Sequence, residues 1–453
     1  MRILHSTDSG FTEAFARLCA RGSEEDDRGA REEAARVIAD VRARGDKALL
    51  ELTERLDGWK PTRPEALELG PGEFRDGFRA LAPEARKAMK LAAERIAAFH
   101  ERERDAEVPP FRDRIGAVLG QVTRPLSRVG IYAPGGTARY PSSILMAAIP
   151  ARVAGVAEIV ACSPAIHNTG EVDSGTLAAC HLAGVARLFK IGGAQAIGAL
   201  AYGTATVPRV DKICGPGNAY VAAAKRIVFG QVDIDMVAGP TEVVVVAGPK
   251  ADPAEAASDL LAQAEHDARA VSVLITPSLA LAEAVQAEIA RQLPDLPRCQ
   301  TATRSIEDRG AIILARDLRE AVRLADEFAP EHLALLLPHA EKWVKRIGRA
   351  GAVFAGSHTP EAVGDYLAGP SHVLPTAGTA RFASPLSVAT FRRRMSVVAL
   401  SPGALAKLAP AVCALAEAEG LEGHARAVRK RLREPARSRI STRRRRGTGK
   451  GAR

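Results

Sequence analysis

The chain predicts an α/β protein with doubly wound parallel sheets, and three observations predict it. Short apolar, β-branched runs alternate with helical stretches of ten or so residues from about Arg124 to Ala355, the pattern of a parallel sheet crossed over by helices. Glycine turns follow several of these runs and precede the next helix. The two ends of the chain carry helical signals only.

Residues 1 to about 105 are expected to be helical, with Arg31 to Leu56 and Pro83 to Glu103 rich in Ala, Arg, Glu and Leu at helical spacing. Strands follow at Val129–Ala133, Glu158–Ser163, Arg187–Ile191 and Val210–Cys214, with helices between them, so that about 130 to 240 forms one doubly wound domain. A second α/β block has strands at Thr241–Ala247, Ala270–Thr276, Gly310–Leu314 and Ala352–Ala355. After about Pro385 only helices are expected, at Gly403 to Glu419 and Gly423 to Leu432. Residues 437–453, Arg-, Ser-, Gly- and Thr-rich, have too little apolar content to fold alone and are expected to be a disordered basic tail.

The length of 453 residues suggests about three domains. A hydrophobic content of 47% with 26% charged residues describes a soluble globular protein. The longest apolar run, Ile144 to Val160, is interrupted by Pro150, Arg152 and Glu158, so no membrane span is expected. The N-terminus lacks the apolar core of a signal peptide, which places the chain in the cytoplasm. Six cysteines without a Cys-x-x-Cys pair fit a reducing compartment and exclude a thiolate zinc cluster. The net charge of +10 belongs to the tail: twelve Lys/Arg and one acid lie from Arg429 onward, leaving 51 basic against 52 acidic residues elsewhere.

The stretch Asp259 to Asp267 sits in a helix capped by Asp252 with Pro253 at its first position. Gln263 and His266, three residues apart, would share one helix face away from the apolar stripe. An amide oxygen beside an imidazole can begin a zinc-type site; a solvated helix face is the alternative. Three glycine turns, Pro134-Gly-Gly136, Gly192-Gly193 and Gly215-Pro-Gly217, would gather on one sheet edge where ligands bind. None is a full G-x-G-x-x-G, and no acid stands at the ribose position, so a standard dinucleotide grip is not supported. Pro330-Glu-His332 marks a helix start or tight loop with a titratable imidazole. Asp365 lies in a Gly/Pro-rich loop, Gly356 to Gly378, and His424 on the last helix. Cys214 could serve as a nucleophile, but an inert buried thiol is the simpler reading.

Several stretches taken together are more specific. Val129-Gly-Ile-Tyr-Ala-Pro-Gly-Gly, Tyr140-Pro-Ser-Ser-Ile-Leu-Met, Ile191-Gly-Gly-Ala-Gln-Ala-Ile, Gly215-Pro-Gly-Asn, Ala238-Gly-Pro-Thr-Glu, Gln263-Ala-Glu-His, Ala329-Pro-Glu-His-Leu, Gly364-Asp-Tyr and Glu419-Gly-Leu-Glu-Gly-His occur in this order. From about residue 5 to 435 the chain resembles the histidinol dehydrogenase family. The resemblance implies a fold of two incomplete Rossmann-like domains, with an N-terminal helical segment (1–21) and a C-terminal helical dimerisation tail (387–436). It assigns 22–131 with 241–386 to a zinc and substrate domain and 132–240 to NAD.

It further implies oxidation of L-histidinol to L-histidine through the aldehyde with two NAD⁺, in a cytoplasmic homodimer that completes histidine biosynthesis. Gln263, His266, Asp365 and His424 match the family's zinc ligands, one Zn²⁺ per subunit, with His424 and Glu419 reaching into the partner's site. Glu331 and His332 match its catalytic acid/base pair: His332 takes the hydroxyl proton and Glu331 activates water. Thr241, Glu419, His332 and the zinc ligands match substrate contacts, and Tyr132, Gln195 and Asn218 match NAD contacts. The family commonly has serine where this chain has Thr241. Two rival readings are a same-fold dehydrogenase for another polar alcohol and a nucleic-acid-binding protein acting through the Arg-rich tail. The tail offers no stacking platform, since no aromatic residue lies beyond Phe391, so no specific nucleic-acid partner is expected.

Overall fold

The computed structural model describes residues 1–21, 28–103, 109–135 and 140–432; the expected basic tail and Gly136 lie outside them. The described residues up to 103, with 125–393, form one compact unit, and 109–124 with 394–432 form a second.

Two six-stranded sheets organise the first unit. One is ordered β1 (Arg2–His5), β12 (Ala311–Leu314), β11 (Val271–Thr276), β10 (Glu242–Ala247), β13 (His332–Leu336) and β14 (Ala352–Ala355), every neighbouring pair parallel. The other is ordered β2 (Glu68–Leu69), β7 (Arg187–Phe189), β6 (Glu158–Cys162), β5 (Arg128–Tyr132), β8 (Lys212–Cys214) and β9 (Asp233–Ile234), parallel except for the edge strand β2. Counted along the chain from β10 or from β5, the five core strands of each sheet run third, second, first, fourth, fifth. That is the doubly wound order, and its direction reverses between β10 and β13 and between β5 and β8.

The inner strands of each sheet are buried on both faces, as parallel strands between helices must be. Val243 and Val245 enter a core with Leu260 and Leu274, while Val244 and Val246 enter the opposite one with Phe328 and Leu333. Around the second sheet, helices Arg28–Arg44 and Asp46–Asp57 join the core of Phe189 and Ile197, and helices Pro71–Ala80 and Pro83–Glu103 join that of Ile131 and Met146.

Several expectations need correction. Residues 1–21 are not purely helical, because Arg2–His5 forms the edge strand β1; four residues are too few for alternation to show. The division at 131/132 is not where the sheets divide: β5 is central to the second sheet, and the helices between 28 and 103 cover that same sheet. The helix expected over 31–56 breaks at Gly45, which has φ +55°. β13, His-Leu-Ala-Leu-Leu, is rich in helix formers and becomes a strand because both its faces are buried.

The second unit carries a three-stranded sheet, β15 (Arg392–Ala399), β4 (Val118–Pro125) and β3 (Phe111–Arg112), and helices Pro402–Ala418 and Glu422–Leu432. β15 overturns the expectation of helix alone after Pro385; its opening Arg-Arg-Arg hides the strand pattern.

The turn after β8 depends on Gly215. Its φ is +116°, and a Cβ there would lie 2.0 Å from the carbonyl oxygen of Tyr132. Buried groups fix its peptide: Asp235 accepts from the Gly215 N–H at 2.7 Å, and the Lys225 ammonium donates to the Gly215 carbonyl at 2.9 Å while pairing with Asp235. Gly230 has φ +94° with nothing within 4 Å of an added Cβ. Gly215→Ala is therefore expected to cost more than about 3 kcal/mol in urea unfolding, and Gly230→Ala only the backbone strain of about 1 kcal/mol.

Candidate active site

The helix Pro253–Ala264 begins as its sequence dictates, with the Asp252 carboxylate accepting from the Ala254 N–H. It ends earlier than expected. Glu265 is already its C-cap, and the His266 N–H reaches back to the Gln263 carbonyl at 3.3 Å, so His266 stands in the turn beyond. Gln263 and His266 thus do not share a helical face by periodicity, and neither faces bulk solvent along a polar stripe. Gln263 is fully buried; its side-chain N–H donates to the Thr241 hydroxyl at 2.7 Å, leaving Oε1 buried without a partner. His266 stacks on Tyr140, centroids 6.5 Å apart, and burial pushes its imidazole below the ordinary 6.5, toward the neutral form that ligates metals.

Thr241 passes the bonding on. Its hydroxyl donates to Glu331 Oε2 at 2.6 Å, and the Glu242 N–H donates to the same oxygen at 2.9 Å. Both of these donors fall on the same oxygen, Oε2. Burial pushes the Glu331 carboxyl well above the ordinary 4.5; Thr241 opposes the rise, and the charges of Glu242 and Asp365 add to it.

Glu331 and His332 open neither a helix nor a loop: His332 is the first residue of β13. Its Nδ1 faces only acceptors, the Glu242 carbonyl at 3.2 Å, Glu361 at 3.4 Å and Glu331 at 3.6 Å. Those neighbours hold the proton on Nδ1, so Nε2 presents a lone pair. Nε2 is buried without a hydrogen-bond partner, 3.9 Å from Asp365. Burial pushes the ring's pKa down to about 3, aided by His372 and His266. Asp365 lies not in an irregular loop but on the short helix Glu361–Tyr366, with its carboxyl pushed up to about 6 by burial.

Thr241, His266, Glu331, His332 and Asp365 line one cavity of about 380 Å³. A neighbouring cavity of about 1010 Å³ is lined by Tyr132, Gln195 and Asn218, and the two share Pro134, Gly135 and Asn218 at their rims. The Gly193 N–H donates to the Tyr132 hydroxyl at 3.0 Å. Gln195 is buried with Oε1 unpartnered, and the Asn218 carbonyl caps helix Ala219–Val228, accepting from Tyr220 and Val221. Cys214 is buried and its thiol is pushed well above 9, which leaves no thiolate for nucleophilic chemistry. Glu419 and His424 belong to the second unit, at the end of helix Pro402–Ala418 and on helix Glu422–Leu432, both exposed there.

The donor set suits a divalent metal of zinc type: an orphaned amide oxygen on Gln263, a neutral imidazole on His266, and a carboxylate on Asp365 short of positive charge. Among the described residues no group of three His, Cys, Asp or Glu converges as a complete centre.

A family model described as histidinol dehydrogenase matches residues 20–432. The chain is 50% identical to the histidinol dehydrogenase of Syntrophotalea carbinolica over 434 residues, 96% of this chain and all of the relative. It is also 50% identical to that of Geobacter sulfurreducens over 433 residues, with 96% and 100% coverage. The chain belongs to the histidinol dehydrogenase family. The crystal structure of histidinol dehydrogenase from Elizabethkingia anophelis superposes with a TM-score of 0.89 at 32% identity, over 95% of this chain and 98% of that one.

In this histidinol dehydrogenase family member, four residues at the site carry no sequence signal of their own. Tyr140 stacks on His266, Glu361 faces His332, and His372 borders the same cavity, its Nδ1 3.0 Å from the Asp365 carbonyl. The fourth is Arg21. Its guanidinium grips both oxygens of Glu242, donates to the Phe328 carbonyl at 2.9 Å and lies 3.5 Å from the Phe328 ring centre. Glu242 in turn accepts from the Glu331 N–H at 3.2 Å. Only the fold could reveal this, since 221 residues separate Arg21 from Glu242.

Removing Arg21 would leave a buried carboxylate uncompensated, at about 3–5 kcal/mol. Arg21→Met is expected to lower the free energy of urea unfolding by that amount and to reduce kcat more than it raises KM. Arg21→Lys should recover only part of both, lacking the two-pronged grip. Wild-type kcat in the folded Met variant would exclude a positioning role.

Proposed function

We propose that this chain oxidises L-histidinol to L-histidine through histidinaldehyde, with two NAD⁺ reduced in succession at the cavity bounded by Thr241, Glu331, His332 and Asp365. What carries the reading is His332: three acceptors hold its proton on Nδ1 and leave Nε2 bare beside Asp365. A buried neutral imidazole with a free lone pair is a base for an alcohol proton. Family membership supports the substrate.

The larger cavity would hold NAD by Tyr132, Gln195 and Asn218, and the cofactor, when bound, would supply the hydride acceptor. Gln263, His266 and Asp365, with the partner subunit's His424, would hold Zn²⁺, which supplies Lewis acidity and a fixed grip on the substrate's nitrogens. The Gln263 amide is poised for this because Thr241 takes its N–H and leaves only the oxygen. The partner's Glu419 would add a substrate contact, so the working enzyme is a homodimer.

His332 accepts the carbinol proton as the alcohol is oxidised. Glu331, with Oε2 pinned by Thr241 and Glu242, offers Oε1 to a water that adds to the aldehyde. His332 then accepts the hydrate's proton in the second oxidation. No helix of the described chain is long and apolar enough to cross a membrane.

NADH formed per L-histidinol consumed is expected to be two, collapsing on chelation and returning with added Zn²⁺. A ratio of one, or indifference to chelation, would refute the corresponding part of the reading. His332→Asn should lower kcat by about 10²–10⁴-fold, whereas Glu331→Gln should slow oxidation of supplied aldehyde more than that of the alcohol.

A further inference from the structure

The larger cavity contains a carboxylate that nothing above uses. Asp57 ends the helix Asp46–Asp57 and lines the cavity; its Oδ2 is buried without a partner. The other acids on this wall are engaged: Glu33 pairs with Arg36 at 2.6 Å, and Asp173 caps the helix Ser174–Ala183 through Thr176. Gln195 Oε1, on the same cavity and also buried, is a second acceptor lacking a donor. A cavity presenting two unsatisfied acceptors is suited to a ligand that brings hydroxyls or N–H groups.

Topology says which part of a dinucleotide that would be. In doubly wound sheets the ribose is read by an acid near the end of the second strand in chain order, which here is β6. β6 ends instead in Cys162, followed by Ser163-Pro164-Ala165, all three of the latter lining the cavity without an acid. The loop that continues from β6 packs on the end of the Asp57 helix: the Asn168 N–H donates to the Asp57 carbonyl at 3.3 Å, and a Cβ on Gly58 would collide with Asn168 and His167. Asp57 therefore stands in space where the strand sequence supplies nothing. Asp57 lines only the larger of the two cavities, whereas Pro134, Gly135 and Asn218 form the rim that this cavity shares with the catalytic one. The nicotinamide must reach across that rim, so Asp57 faces the adenosine half.

The structure assigns Asp57 as the residue that accepts the vicinal hydroxyls of the adenosine ribose and rejects a 2′-phosphate by charge. The assignment rests on the reading that the dinucleotide occupies this cavity. It supplies, from a helix that ends about a hundred residues before β6, what a G-x-G-x-x-G domain carries on its second strand.

The test is calorimetric titration of the full-length protein with NADH and NADPH, without substrate, for wild type, Asp57→Asn and Gln195→Ala. Wild type is expected to favour NADH. Asp57→Asn should lose about 10- to 100-fold in NADH affinity, the range for a hydrogen bond to a charged group, and close most of the gap to NADPH. Gln195→Ala should weaken both dinucleotides alike. If Gln195→Ala weakens binding and Asp57→Asn does not, the role of Asp57 is overturned while the cavity stands. If neither changes binding, the dinucleotide lies elsewhere and both readings fall. Should Asp57→Asn not fold, Asp57→Glu serves: it keeps the charge but displaces the oxygens, so NADH affinity should drop while NADPH stays excluded; unchanged NADH affinity would count against the assignment.

Discussion

Two glutamates meet face to face at the amino ends of neighbouring strands, and the site is arranged around that meeting. The Glu242 N–H binds the Glu331 carboxylate while the Glu331 N–H binds the Glu242 carboxylate. Two buried acids so close repel each other, and the arrangement holds only because Arg21 neutralises one of them from the far side. The same residue, Glu242, offers its carbonyl to His332 Nδ1. One residue thus holds the Glu331 carboxylate in place and sets the tautomer of His332.

This placement departs from the usual habit of doubly wound sheets, in which ligands gather at the carboxyl ends of the strands. The second sheet follows that habit, with Tyr132, Gly192-Gly193 and Gly215-Pro-Gly217 all at or just beyond strand ends. The first sheet does not: Thr241 and Glu331 immediately precede β10 and β13. The carboxyl edge of one sheet and the amino edge of the other therefore contribute to adjoining cavities. The two edges thus meet at the rim of Pro134, Gly135 and Asn218 that both cavities share.

Much of this was legible in the residues. The valine run of β10, the strands β5 to β8 and the helix Pro83–Glu103 follow directly from periodicity and turn chemistry. Short or compositionally disguised strands did not: β1 is four residues, β13 is written in helix formers, and β15 opens with three arginines. At the site, Tyr132, Gln195, Asn218, Thr241, His266, Glu331, His332 and Asp365, which the resemblance named, line the two cavities. Gln263, Glu419 and His424, which it also named, line neither. Arg21, Asp57, Glu361 and His372 emerged only from long-range packing. Periodicity misled at His266, because the helix stops at Ala264 and the imidazole is delivered by the turn after it. The Gly/Pro-rich segment around Asp365 hid a short helix for a similar reason: six residues are too few to show an apolar stripe.

The threonine at 241 has a consequence of its own. Its oxygen is committed in two directions at once, receiving from Gln263 and giving to Glu331, so only one orientation about the Cα–Cβ bond satisfies both. A β-branched side chain has fewer orientations to choose from than serine does. The additional methyl thus works as a stiffener: the relay is set when the polypeptide folds, and no rotor has to be re-aimed with each catalytic cycle.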